Sequence, residues 1–196
     1  MFVWLLPNAA WAAPTVLVFG DSLSAGYGVP IEKAWVALLQ QRLRAQGYPQ
    51  TVVNASVSGD TTAGGLARLP AALSRHKPEL VLVELGANDG LRGLSLKKMR
   101  GNLTRMAQLS RTAGARVLLF EMRIPPNYGA AYAEEFRKSF AQVAKEQKTG
   151  LVPFFLAPIA LDPDSFQDDG LHPTAEAQPQ LLDAVWPHLK PLLLRN

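Results

Sequence analysis

The sequence predicts an α/β fold with one parallel sheet and helices on both faces. Short apolar runs alternate along the chain with longer amphipathic segments, an alternation typical of βαβ units. Hydrophobic residues make up 48% of the 196 residues and charged residues 18%, a composition that supports a sizeable core. Because this length favours a single domain, we expect one domain over residues 14–196.

Five short runs of β-branched and apolar residues are predicted as strands, at residues 15–19, 51–55, 80–85, 116–120 and 151–154. The segments between and after them have the 3.6-residue spacing of amphipathic helices. These helices are predicted at residues 32–45, 61–75, 95–113, 131–148 and 174–194. Three prolines interrupt the last one, at positions 179, 187 and 191.

Residues 1–13 are predicted to be the remnant of a secretory signal. Their apolar run ends in Ala10, Trp11 and Ala12, which match the small-x-small pattern of a cleavage site, so cleavage is expected near Ala12 and Ala13. No Lys or Arg precedes the run, and the alternative is a hydrophobic extension that stays on the protein. Export implies a periplasmic or secreted protein, with no stable membrane insertion.

The composition also narrows the chemistry. The chain contains no cysteine, which excludes disulfides, thiolate metal sites and cysteine nucleophiles. Its three histidines are scattered and lack the spacing of a metal-binding helix, so no metal is predicted. The net charge of +4 comes partly from basic residues between 92 and 111, which are interpreted as a solvated helix face. No nucleic-acid partner is expected, and a monomer is slightly favoured.

Two motifs at opposite ends of the chain indicate nucleophilic catalysis. The sequence Gly-Asp-Ser-Leu at residues 20–23 ends the first predicted strand and places Ser22 where ligands bind in α/β sheets. The sequence Asp-Gly-Leu-His at residues 169–172 supplies His172 as a base. A turn at Gly170 would let Asp169 reach the imidazole of His172 and fix its tautomer.

Polar loops also follow the second and third strands, at Ser-Gly-Asp 58–60 and Gly-Ala-Asn-Asp 86–89. An oxyanion needs hydrogen-bond donors, and the N–H groups of Ser22 and Gly59 and the amide of Asn88 are candidates. Each residue also has an ordinary interpretation. Ser22 could cap a helix, Gly59 could form a turn, Asn88 could cap a loop, and His172 could be a surface histidine.

These four blocks, in order along nearly the whole chain, resemble the SGNH (or GDSL) hydrolase superfamily, and most closely its bacterial thioesterase, lysophospholipase and arylesterase group. The resemblance implies a flavodoxin-like α/β/α fold with a five-stranded parallel sheet in the order 2-1-3-4-5. It also implies that Ser22, Asp169 and His172 form a catalytic triad, and that Ser22, Gly59 and Asn88 form the oxyanion hole.

The expected activity is hydrolysis of carboxylic esters, and of thioesters, without a cofactor. The substrate is expected to be a small molecule held in an apolar pocket. Candidates to line it follow the fourth and fifth strands: Met122, Ile124, Tyr128 and Phe166. Phe154 and Phe155 are interpreted as core residues.

Other functions remain open at the level of sequence. One is a carbohydrate or cell-wall O-acetyl esterase on the same fold. Two others do not hydrolyse esters: a catalytically silent binding protein and a flavin binder. An α/β-hydrolase is disfavoured because Ser24 stands where its Gly-x-Ser-x-Gly motif requires glycine.

Overall fold

The computed structural model describes residues 13–193, so the predicted signal segment, apart from Ala13, lies outside the described residues. Five parallel strands form one sheet in the order β2-β1-β3-β4-β5, which confirms the predicted topology. The strands are β1 Thr15–Gly20, β2 Thr51–Asn54, β3 Leu80–Glu84, β4 Arg116–Phe120 and β5 Gly150–Val152.

Helices flank this sheet. The longer ones are α2 Trp35–Ala45, α3 Thr62–His76, α5 Leu96–Thr112, α6 Ala130–Gln147 and α7 Gln178–Leu189. Two short helices follow the strands at the centre of the sheet within a few residues: α1 Ser22–Ala25 comes after β1, and α4 Ala87–Leu91 comes after β3. Helix α2 packs against α7, and α5 packs between α3 and α6. The short helices were not predicted, because one turn is too short to show a hydrophobic period.

The centre of the sheet is fully covered. Strand β3 is buried along its whole length, whereas the edge strand β2 is only partly covered. Phe120, at the end of the neighbouring strand β4, packs against the rings of Trp35 and Phe155. Trp35 and Phe155 also contact each other, and the centroids of Phe120 and Phe155 lie 5.1 Å apart. Phe155 is therefore a core residue, as predicted. Within residues 13–193, no helix combines the length and apolarity needed to cross a membrane.

Prolines explain where the terminal helix differs from its prediction. Helix α7 begins at Gln178 rather than at residue 174, with Pro179 in its first turn. A proline lacks the N–H that the first turn leaves unpaired, so this position suits it. The helix ends at Leu189, two residues after Pro187, and a 3₁₀ turn at Lys190–Leu192 follows.

The sheet brings the polar loops together at one edge. Gly20 at the end of β1 pairs in register with Glu84 at the end of β3. The next residues in each loop lead into α1 and α4. As a result, the motifs around Ser22 and Asn88, which are far apart in sequence, start from neighbouring strand ends.

Candidate active site

Ser22 is the first residue of α1 and is free of a capping role. The residue before it, Asp21, is the N-cap, and its Oδ1 accepts from the Leu23 N–H at 3.1 Å. The interpretation of Ser22 as a helix cap is therefore wrong: the aspartate satisfies the orphan donor of the first turn. The helix ends after one turn at Gly26, whose φ of 77° is the left-handed conformation that glycine favours.

A serine, a histidine and an aspartate form a hydrogen-bonded row at this edge. His172 Nε2 lies 2.9 Å from Ser22 Oγ, and His172 Nδ1 lies 2.6 Å from Asp169 Oδ2. An ionised carboxylate only accepts hydrogen bonds, so Nδ1 carries the hydrogen and Nε2 is left to accept one from Ser22. The structure thus brings together the three residues that the sequence proposed.

The loop that carries His172 is shaped by Asp169. Its Oδ1 accepts from the backbone N–H groups of Leu171 at 2.8 Å and His172 at 2.9 Å, across the positive φ of Gly170. The hydrogen bonds from the His172 backbone and side chain, and then from Leu171, lower the pKa of Asp169 to about 2. The carboxylate therefore stays ionised throughout the neutral and mildly acidic range.

Two residues that sequence reasoning missed hold this loop against the nucleophile. The Gln167 side-chain amide donates to the carbonyls of Tyr27 at 2.9 Å and Pro173 at 3.0 Å. The Tyr27 ring lies against the His172 ring with 4.5 Å between centroids. Glycine at position 28 leaves room for Gln167, since a Cβ there would lie 2.1 Å from its Oε1. No local motif predicts a pairing that spans 140 residues.

Asn88 is held beside the serine by several partners. Its Nδ2 donates to Asp21 Oδ2 at 3.1 Å, and its Oδ1 accepts from Arg92 Nη2 at 3.4 Å. The same Arg92 nitrogen donates to the Gly59 carbonyl at 2.9 Å, which links the two predicted oxyanion loops. Gly59 has a φ of 78°, in the left-handed region that favours glycine. It is not among the residues that line the cavity described below.

The helix that carries Asn88 is anchored by its neighbour. The buried carboxylate of Asp89 accepts from the Thr62 backbone N–H at 2.8 Å and from its hydroxyl at 2.6 Å. Thr62 starts α3, so this pair ties the first turns of α3 and α4 together. Such a buried, fully bonded pair restricts where the Asn88 amide can lie.

Two buried carboxyl groups lie beneath the site. Glu84 Oε2 accepts from the Ser24 hydroxyl at 2.7 Å and from the Asp21 N–H at 3.3 Å. Burial raises the pKa of Asp21 to about 6. Burial, and then the charge of Asp21, raise the pKa of Glu84 well above 4.5. Within residues 13–193 the other oxygen of Glu84, Oε1, is buried without a hydrogen-bond partner, which fits a carboxyl group that is neutral when Asp21 is charged.

A cavity of about 420 Å³ opens beside Ser22. Of the predicted pocket residues, Met122, Ile124 and Phe166 line it. Tyr128 does not, and that prediction is wrong: it ends a 3₁₀ turn, Pro126–Tyr128, that lies past the lining segment, and it is 42% exposed. The other lining residues are Asp21, Ser22, Leu23, Ala87, Asn88, Leu91, Arg123, Pro125, Phe154, Leu156, Ala160, Gly170, Leu171 and His172.

Phe154 also differs from its prediction, because it lines the cavity instead of packing in the core. Strand β5 ends at Val152, and Pro153 cannot donate to a continuing ladder. The chain turns there, so only the second phenylalanine, Phe155, packs into the core. In the part of the chain that the structure describes, no group of three or more His, Asp or Glu side chains could hold a metal ion.

A serine, a histidine and a carboxylate in hydrogen-bonded series, at the carboxyl edge of a parallel α/β sheet, are the arrangement of a serine hydrolase. Comparison with known proteins agrees. Residues 18–178 match the GDSL-like Lipase/Acylhydrolase family. The chain belongs to this family of hydrolases.

Individual relatives are close over nearly their full length. The chain is 55% identical to esterase TesA of Pseudomonas aeruginosa, over 93% of this chain and 90% of that protein. It is 46% identical to thioesterase 1/protease 1/lysophospholipase L1 of Escherichia coli K12, over 98% of this chain and 91% of that protein. The crystal structure of the psychrotrophic esterase EstA from Pseudoalteromonas sp., inhibited by monoethylphosphonate, superposes with a TM-score of 0.87 at 45% identity, covering 90% of this chain and 97% of that one.

Proposed function

We propose that the protein hydrolyses carboxylic esters and thioesters through an acyl-enzyme on Ser22. The observation that carries this proposal is the row of contacts from Ser22 Oγ through His172 to Asp169, at 2.9 Å and 2.6 Å. Each distance is within the range needed for a nucleophile, a general base and a residue that orients the base. Family membership and the names of the relatives support the same chemistry.

The mechanism follows from the protonation states. His172 Nε2 takes the proton of Ser22 as Oγ attacks the acyl carbonyl. Asp169 accepts from Nδ1–H, holds the ring in this tautomer and stabilises the imidazolium that forms. His172 then gives the proton to the leaving alcohol, phenol or thiol. Water then attacks the acyl-enzyme while His172 takes a proton from it. His172 returns this proton to Ser22 Oγ as the acid is released.

The oxyanion is stabilised by the N–H groups of Ser22 and Gly59 and by the side-chain amide of Asn88. The Nδ2 of Asn88 is already aimed at this edge, because Asp21 accepts from one hydrogen and Arg92 holds the oxygen. An amide fixed before the reaction begins loses little free energy to reorganisation as negative charge develops.

The cavity supports an acyl or aryl group larger than acetyl. Apart from the reacting residues, Asp21 and Arg123, its lining is apolar, and each methylene buried there would contribute up to about 0.8 kcal/mol. We propose aryl esters, short to medium acyl esters, acyl thioesters and lysophospholipids as the substrate range.

We also propose that the enzyme acts after export to the periplasm, on the basis of the N-terminal motif.

Replacement of Ser22 by alanine tests this proposal. Ser22→Ala should fold normally and lower kcat by roughly 10⁴ to 10⁶, the scale of removing a serine nucleophile. The matched control is Ser74→Ala, the same substitution on an exposed position of α3. A panel of aryl acetates, longer acyl esters, acyl thioesters and acetylated sugars should be measured for all three proteins. A Ser22→Ala protein that stays active would contradict the mechanism.

A further inference from the structure

One basic side chain lines the cavity in addition to His172. Arg123 lies in the segment between Met122 and Pro125, and among residues 13–193 the rest of the lining is apolar apart from the reacting residues and Asp21. Its side chain is 48% exposed, so it is open to both solvent and cavity. A lone cation in an apolar acyl pocket weakens the binding of uncharged chains, since its hydration is partly lost when such a chain fills the cavity.

The guanidinium is held in place from two sides. Its Nε donates to Glu121 Oε1 at 3.0 Å, and the Glu121 side chain is only 8% exposed. Its Cζ lies 4.7 Å from the centroid of the Phe154 ring, a cation–π distance. A side chain fixed by a buried carboxylate and by an aromatic face loses little conformational entropy when it binds a ligand.

The binding end of this side chain is free. Within residues 13–193, neither Nη1 nor Nη2 of Arg123 has a hydrogen-bond partner. These two nitrogens carry four N–H donors in the planar fork that matches a carboxylate or a phosphate. Glu121 offsets part of the charge, and therefore the attraction for an anion is moderate.

We propose that Arg123 is a specificity-determining residue, which binds a carboxylate or phosphate group that the substrate carries away from the scissile bond. The inference rests on the proposed function of the Ser22 site and names a substrate class for it. The anion can belong to the acyl chain, as in a half-ester of a dicarboxylic acid. It can also belong to the leaving group, as in the phosphates of an acyl-CoA.

Two matched substrate pairs separate these sources. The acyl-side pair is the mono-4-nitrophenyl ester of adipic acid and the methyl ester of that compound, both followed by release of nitrophenolate. The leaving-group pair is butyryl-CoA and S-butyryl-pantetheine, followed with a thiol reagent to which this cysteine-free chain does not respond. The quantity compared is the ratio of kcat/KM for the charged and uncharged members, which cancels any general loss of activity.

Three variants should be compared with the wild type. The double variant Glu121→Gln/Arg123→Gln removes the fork without leaving Glu121 as a buried, unpaired charge. Arg123→Gln shows the effect of the single change. Arg123→Lys keeps the positive charge and loses the planar fork. In the single and double glutamine variants, the ratio of kcat/KM for charged over uncharged substrate should fall about three- to tenfold for the substrate pair whose anion binds Arg123. This is the scale of a partly exposed charged hydrogen bond. The lysine protein should keep part of the preference.

Salt gives an independent readout that a purely structural role would not change. The wild-type ratio should shrink between about 20 mM and about 500 mM salt, while the ratio of the glutamine proteins stays flat. A fall in the acyl-side ratio supports an anionic acyl chain, and a fall in the leaving-group ratio supports an anionic leaving group. Unchanged ratios for both pairs would overturn the inference about Arg123. The proposed ester hydrolysis would still stand, provided that the uncharged esters are cleaved and Ser22→Ala abolishes their cleavage.

Discussion

The two sides of the cavity are built by different kinds of interaction. On one side, Ser22, His172, Asp169 and Asn88 are fixed by directional hydrogen bonds, several of them to buried or ionised groups. On the other side, the segment from Met122 to Pro125 and the ring of Phe154 form an apolar wall. Hydrogen bonds fix an atom to within a few tenths of an ångström, whereas apolar packing sets volume. We infer that the first side determines rate and the second determines which acyl groups fit.

The largest effect should come from breaking the hydrogen-bonded side. Asn88→Ala removes one oxyanion donor and should lower kcat by about 10²- to 10³-fold with little change in KM. Asn127→Ala, the same substitution at an exposed position of the 3₁₀ turn, is the matched control. Steady-state kinetics on one aryl ester give both constants. An effect confined to KM would show that Asn88 positions the substrate instead of stabilising the transition state.

A smaller effect should come from the apolar wall. Wild-type kcat/KM should climb from acetyl to medium-chain esters and then level, by up to about 0.8 kcal/mol for each buried methylene. Ile124→Ser, which places a hydroxyl in the lining, should flatten this climb. Tyr128→Ser is the control, because Tyr128 lies outside the cavity and its variant should keep the wild-type chain-length profile. If wild-type activity falls steadily beyond acetyl, an O-acetyl esterase becomes the better account.

The smallest effect concerns the carboxyl groups beneath the hydrogen-bonded side. Because the pKa of Glu84 is raised in the folded state, folding keeps a proton that the unfolded chain releases above about pH 4.5. Stability from this group is therefore fully present at low pH and is lost as pH rises toward the folded-state pKa. Asp21, with a pKa of about 6, contributes in the same direction.

Glu84→Gln removes one of these two contributions. Its unfolding free energy should decline less steeply than that of the wild type between about pH 5 and pH 8, as measured by urea unfolding. Glu146→Gln, at an exposed position of α6, is the control and should follow the wild-type slope. Parallel curves for the wild type and Glu84→Gln would show that Glu84 does not keep its proton in the folded protein.

The same contrast explains what the sequence predicts well. Short motifs that contain glycine locate Ser22, Asn88, Asp169 and His172, because each motif combines a turn with a reactive side chain in a few residues. The wall is set by how two loops pack, and its prediction is only partly correct. Tyr128 lies outside the cavity and Phe154 lies within it, because the 3₁₀ turn and Pro153 redirect the chain. The contacts of Gln167 with Tyr27 depend on long-range packing that no local pattern contains.

The central claim is that Ser22 is the nucleophile. Its most direct test is treatment with a fluorophosphonate, followed by intact-protein and peptide mass spectrometry. A single phosphonyl adduct should form on the peptide that carries Ser22, and Ser22→Ala should remain unmodified while Ser74→Ala is labelled like the wild type. Labelling on any other residue, or stoichiometric labelling of the Ser22→Ala protein, would contradict the account.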